Sequence, residues 1–310
     1  MIRSLTITDF HLLLKLKNLQ WVVRRGSALN ATSVVPKDQL AYFTFWTLLS
    51  ERLFGHRREN IFGFIENGNI RCLTTACQRA GPTAWNVCQL AVNNDGERNH
   101  GEIFERVANY AEERGAERLF LAVPNEERFI DMANSLGFND GVAVTTYSLM
   151  GRAPLLTYKE LQSYRLRLPG DELSIYKMYN RTTPANLRRF MGITLQQWLD
   201  SEEKKTRQTQ EFVMGDKYSV NVWVRLDRIR KYIRVQSMIG PDWRGTLADI
   251  VGFVLDKVEP SQIMWDIFSY QESLGLVLEG LGFQVSGGYR LMVKPLVSHV
   301  EELSRIPVGV

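Results

Sequence analysis

The chain has 310 residues, 45% of them hydrophobic and 23% charged, with a formal net charge of +4. That length exceeds what a single hydrophobic core usually holds. The mild positive charge, without a stripe of Lys and Arg interleaved with aromatics, carries no nucleic-acid signal, and no run of about 18 apolar residues offers a helical membrane span.

The three cysteines, Cys72, Cys77 and Cys88, lack the Cys and His spacing of a metal site. Cys72 and Cys88 sit in apolar strand runs, so the expectation is buried thiols in a reducing compartment. The first residues carry no signal-peptide pattern, which makes a cytoplasmic soluble protein the default.

Ile2–Ile7 reads as a short strand, followed by helical runs over Phe10–Leu19 and Lys37–Leu53. Ile61–Glu66 and Ile70–Cys77 flank Asn67-Gly68-Asn69 as a hairpin. Trp85–Val92 is a strongly apolar strand. After a polar loop, Glu102–Arg114 is an amphipathic helix that Gly115 stops. Arg118–Val123, Glu126–Leu136 and Val142–Met150 read as strand, helix and strand. A linker over 151–162 then separates a first domain, 1–150, from a second, 163–310.

The second domain opens with a strand at Ser163–Leu168 and helices at Asp171–Asn180, Pro184–Arg189 and Gln196–Ser201. Glu211–Met214, Val220–Leu226 and Tyr232–Ile239 are successive strands. Thr246–Val258 is a helix, Gln262–Phe268 a strand, Glu272–Leu281 a helix and Tyr289–Leu296 the last strand. The order strand, loop, helix, strand, helix, Leu-Gly-Phe, strand therefore occurs twice. Its two triplets, Leu136-Gly137-Phe138 and Leu281-Gly282-Phe283, lie 145 residues apart. Two equivalent units follow from the repeat.

This order, with Leu90-Ala91-Val92 before the first loop and a Leu-Gly-Phe stop after each second helix, resembles the GCN5-related N-acetyltransferase (GNAT) superfamily in tandem form. The resemblance implies an α/β fold of two acyl-coenzyme A N-acyltransferase-like domains. Each would be a mixed, mostly antiparallel sheet with helices on both faces. It implies acetyl-coenzyme A in a V-shaped gap between the fourth and fifth strands, and a small-molecule or peptide amine as acceptor. Glycines after the fourth strand would let backbone N–H groups at a helix N-terminus cradle the pyrophosphate.

Both copies of that loop depart from the family pattern of Gln/Arg-x-x-Gly-x-Gly/Ala. The first places Arg98 and His100 where small residues belong, and the second places Leu247 and Asp249 there. The positions that the resemblance assigns to the cofactor are Leu90, Val92, Gly96, Arg98, Gly101 and Asn125 in the first copy. In the second they are Ser237, Ile239, Arg244, Gly245 and Thr246. The tyrosine that the family often uses as general acid is replaced by Ala133 and Leu278. Candidate general bases are Glu66, Gln89, His100 and Asp266. Two functions fit: an N-acyltransferase moving an acetyl or related acyl group from coenzyme A to an amine, or a non-catalytic binding protein built from two degenerate domains.

Overall fold

A computed structural model describes residues 2–4, 20–23, 59–92, 100–150, 164–215, 219–229, 232–258 and 262–296. The helices expected over Phe10–Leu19 and Lys37–Leu53, and the linker at 151–162, lie outside the described residues.

Among the described residues, thirteen strands form one sheet. They are β1 Ile2–Ser4, β2 Gln20–Val23, β3 Glu59–Glu66, β4 Asn69–Gln78, β5 Ala84–Val92, β6 Arg118–Pro124, β7 Asn139–Leu149, β8 Tyr164–Leu166, β9 Thr209–Gly215, β10 Val220–Ile229, β11 Tyr232–Ile239, β12 Gln262–Phe268 and β13 Gln284–Pro295. The spatial order is β1-β3-β4-β5-β6-β13-β7-β12-β11-β10-β9-β8, with β2 paired to β5. The β3–β4 hairpin turns at Asn67 and Gly68, both with positive φ (51° and 71°), the requirement of a tight hairpin turn.

The helices are α1 His100–Glu112, α2 Glu127–Ser135, α3 Glu172–Thr182, α4 Ala185–Met191, α5 Leu195–Ser201, α6 Leu247–Lys257 and α7 Glu272–Gly280. None among the described residues is long and apolar enough to cross a membrane.

The repeat appears in the topology. β5-α1-β6-α2-β7 and β11-α6-β12-α7-β13 follow the same course, and β5–β6 and β11–β12 are the parallel pairs. The two Leu-Gly-Phe stops share one geometry. Gly137 and Gly282 have φ of 81° and 89°. The N–H of Phe138 donates to the Ala133 carbonyl and that of Phe283 to the Leu278 carbonyl, each at 3.0 Å. These are left-handed helix caps whose following phenylalanine enters a core.

The two halves are not side by side as separate sheets. β13, which ends the second half, pairs with β6 of the first, and β7 pairs with β12 of the second. β13 and β7 pair with each other at the centre. Each half thus completes the other's sheet.

Strand alternation divides the side chains between two layers. On one face α1 and α2 cover Leu119, Leu121 and Val123, and α6 and α7 cover Ile233, Val235 and Trp265. On the other face, Phe120 and Ala122 of β6 meet residues of α4, while Val213, Val220 and Met238 meet α3 and α5. The α4–α5 segment of the second half is fixed to the first. Arg118, buried at 6% exposure, donates to the carbonyls of Met191 (2.6 Å) and Gln197 (2.9 Å) and to Thr83 Oγ1 (3.0 Å). Thr83 Oγ1 in turn donates to Asp200 at 2.6 Å.

The cysteines differ from expectation. Cys72 is a buried thiol, pushed up to about 12 by burial. Cys77 and Cys88 are instead joined as a disulfide, with Cα atoms 6.6 Å apart. The β4–β5 register sets Cys77 opposite Asn86, which brings Cys88, two residues on, within reach on the neighbouring strand.

Candidate functional site

A parallel strand pair that separates along its length leaves backbone groups free for a ligand. β5 pairs with β6 from Ala84 to Asn86 and then diverges from it. Beyond that point the free edge of β5 is taken by β2: Gln20 opposes Val92, Trp21 opposes Ala91 and Val23 opposes Leu90. The backbone of Leu90 and Val92, assigned by the resemblance to the cofactor, is therefore engaged on both sides, by β2 and by β4.

The second parallel pair runs from Tyr232–Gln262 to Gln236–Asp266 and stops. Past it, the Gln271 side chain bridges the exposed edge of β11. With its amide oriented to satisfy both groups, Gln271 donates to the Ser237 carbonyl at 3.1 Å and accepts from the Ile239 N–H at 3.0 Å. Gln271 is buried at 7% exposure. The indole N–H of Trp265 donates to Ser237 Oγ at 3.1 Å. Ser237 and Ile239 are thus held by the chain itself.

The phosphate end of this cleft is closed in the same way. Thr246 caps α6 in a reciprocal box: its N–H donates to Asp249 Oδ2 at 2.9 Å, and the Asp249 N–H donates to Thr246 Oγ1 at 3.1 Å. Two amides at the helix start are taken, and a carboxylate stands where phosphate charge would lie. A Cβ on Gly245 would lie 2.2 Å from the Trp243 ring, so the indole covers the glycine. Arg244 is exposed. The residues present do not fit a coenzyme A pyrophosphate and pantetheine in this second cleft.

The remaining candidates are dispersed. Glu66 is exposed at the hairpin, 3.4 Å from Arg71 Nε. Gln89 lies on β5 opposite Thr75. His100 and Gly101 open α1. Asn125 is exposed and precedes the α2 cap residue Glu126, which makes no side-chain cap bond. Gly96 and Arg98 lie outside the described residues. Asp266 is buried and already engaged by Arg234 Nε at 2.8 Å and Thr146 at 2.8 Å. Burial pushes its carboxyl up against the pull of Arg234. Ala133 and Leu278 are fully buried core residues.

What the structure brings together is on the opposite sheet face. A cavity of about 730 Å³, within the usual size of small-molecule sites, lies between the sheet and the α3–α5 segment. Trp223, Arg225 and Asp227 of β10 and Arg234 and Gln236 of β11 contribute to its floor, Tyr179 and Trp198 to its helical side, and Cys77, Arg79 and Cys88 to its far wall. Glu203 stands at the rim, 2.6 Å from Arg234 Nη1. Burial alone would raise its carboxyl, but Arg234, Arg225 and Arg79 hold it well below the usual carboxylate range. Tyr289, at the floor, has its phenol pushed up by burial and by Asp266. Among the described residues, no group of three or more His, Cys, Asp or Glu could hold a metal ion.

Of the expected site residues Ser237 lines this cavity, whereas Arg79, Arg225, Asp227, Arg234 and Gln236 do not stand out as a site in the sequence. Arg225 and Asp227 alternate with Val224 and Leu226, and Arg234 and Gln236 alternate with Ile233 and Val235. Such alternation ordinarily marks a strand with one solvated face; here that face is covered by the helices of the α3–α5 segment.

No protein-family model and no curated protein matches this chain. Solved structures do. A GCN5-related N-acetyltransferase from Sphaerobacter thermophilus aligns over 95% of each chain at 14% identity, with a TM-score of 0.50. An inferred acetyltransferase from Pyrococcus horikoshii aligns over 96% of this chain and 89% of its own at 9% identity and a TM-score of 0.52. A conserved protein of unknown function from Staphylococcus epidermidis aligns over 80% of this chain and 98% of its own at 11% identity and 0.53. The chain therefore has the mixed α/β fold of the GNAT superfamily; at these identities the likeness concerns the fold alone.

Proposed function

We propose that this chain is a ligand-binding protein built from two tandem GNAT-like domains, residues 1–150 and 163–310 joined by 151–162, and that its ligand lies in the central cavity. The repeated strand-helix course and the matched caps at Gly137 and Gly282 support the tandem reading. One observation carries the functional reading: both places where a parallel pair diverges are filled from within, by β2 in the first half and by Gln271 in the second.

The acetyl-coenzyme A-dependent N-acyltransferase is the second reading. The divergence of β5 from β6 after three paired residues favours it. Under it, the first half would take the coenzyme and an amine, small molecule or peptide, would be the acceptor. Calorimetric titration of acetyl-coenzyme A into the full chain separates the two. The binding-protein reading expects no heat of binding at millimolar ligand. A dissociation constant in the micromolar range would restore the acyltransferase.

A further inference from the structure

Five arginines line the central cavity; Arg207 and Arg228 are exposed, and the other three, Arg79, Arg225 and Arg234, face different electrostatic situations. Arg225 is met by Asp227 at 2.7 Å. Arg234 is met by Glu203 at 2.6 Å and by Asp266 at 2.8 Å. Arg79 has no carboxylate within ion-pair distance among the described residues. Its Nε donates to the Ser201 carbonyl at 2.7 Å, and Nη1 reaches Asn86 Oδ1 at a long 3.5 Å. Nη2 has no hydrogen-bond partner among the described residues.

The group is nonetheless held in place. Its guanidinium carbon lies 4.6 Å from the centre of the Phe120 ring, and Phe120 is fully buried. The Ser201 bond fixes one edge, Asn86 meets Nη1 only at 3.5 Å, and Nη2 is left for a partner. A guanidinium stays charged under all ordinary conditions. Glu203 acts on it only from beyond ion-pair distance, so the guanidinium has charge to offer, and its planar fork matches the two oxygens of a carboxylate or phosphate. Around it the cavity is aromatic. Tyr179, Trp198 and Trp223 line it, and the Trp223 N–H is already satisfied by Glu211 at 3.1 Å, so that indole offers a packing surface and not a donor.

We infer that the central cavity binds a small organic anion, a carboxylate or phosphate carried on a flat aromatic body, with the anion seated on Arg79. This rests on the reading that the ligand lies in the cavity.

The test is calorimetric titration of the full chain with three probes: indole-3-acetate, its neutral isostere indole-3-acetamide, and phenyl phosphate. The expected result is binding of at least one anion about 10-fold or more tighter than the acetamide. The Arg79→Gln variant should lose that preference while binding the acetamide as the wild type does. Tighter binding of phenyl phosphate assigns the site to phosphates, and tighter binding of indole-3-acetate assigns it to carboxylates. Equal affinity for the acetate and the acetamide, with phenyl phosphate no tighter, overturns the anion inference and leaves the cavity reading standing. No binding of any probe overturns both. Should Arg79→Gln fail to fold, the wild-type comparison of acid and amide still decides.

Discussion

Gln271 holds Ser237: its amide nitrogen meets the Ser237 carbonyl at 3.1 Å, and its oxygen reaches the Ile239 N–H two residues on. A side chain from the turn after β12 thus does for β11 what a neighbouring strand would do. Replacing it with alanine leaves two buried backbone groups without partners. The Gln271→Ala variant should lose about 2 kcal/mol of stability, read from urea unfolding. Because the Thr246–Asp249 box still closes the helix start, it should gain no measurable acetyl-coenzyme A binding.

Arg118 joins the two halves through the Met191 and Gln197 carbonyls and Thr83. Truncation strands three partners in a buried position. Arg118→Ala should cost about 4 kcal/mol, and Arg118→Lys should recover less than half, since an ammonium cannot reproduce the fork. The same urea series measures both.

The matched caps make a paired prediction. Gly137→Ala and Gly282→Ala each force a side chain into left-handed backbone. At Gly137 a Cβ would meet only the Lys294 side chain, at an ordinary 3.5 Å, and at Gly282 it would meet nothing within 4 Å. The strain therefore lies in the backbone, and each variant should lose about 1 kcal/mol, equal within error. A loss confined to one site would mean that the repeat is not an energetic equivalence.

Asp171 is almost fully buried and receives both terminal nitrogens of Arg165, at 2.6 and 2.7 Å. The Arg165 hydrogen bonds hold its carboxyl below the ordinary carboxylate range despite burial, helped by the Leu168 N–H. A depressed folded-state value stabilises the protein above the unfolded value, near pH 4, and that contribution fades as pH falls through the folded value. Asp171→Asn should therefore lower stability at pH 7 by about 2 kcal/mol and flatten the decline below pH 4. Unchanged acid dependence would contradict this assignment.

Much of the strand and helix order was legible in the chain. Tyr232–Ile239 and Gln262–Phe268 stand where the sequence puts them, because buried parallel strands are short apolar runs bounded by turns. The last strand was less so. β13 begins at Gln284, five residues before Tyr289, since exposed Gln284 and Val285 and the irregularity near Gly287 hide its start. The exchange of β7 and β13 between halves left no local trace, as pairing partners more than a hundred residues apart do not shape a local pattern. The site was the least legible part. Gln271 closes a cleft by reaching to another strand. Arg79 gains its meaning from Ser201 and Phe120, which only the folded chain brings beside it.

On the proposed reading the chain has a GNAT-like fold and binds its ligand on the opposite face of the sheet. A crystal structure of the full chain grown with both indole-3-acetate and acetyl-coenzyme A tests it most directly. The expected result is the indole in the central cavity with its carboxylate on Arg79, and Gln271 still joined to Ser237 and Ile239. A pantetheine arm lying along β5 in place of β2, or along β11 in place of Gln271, would contradict it.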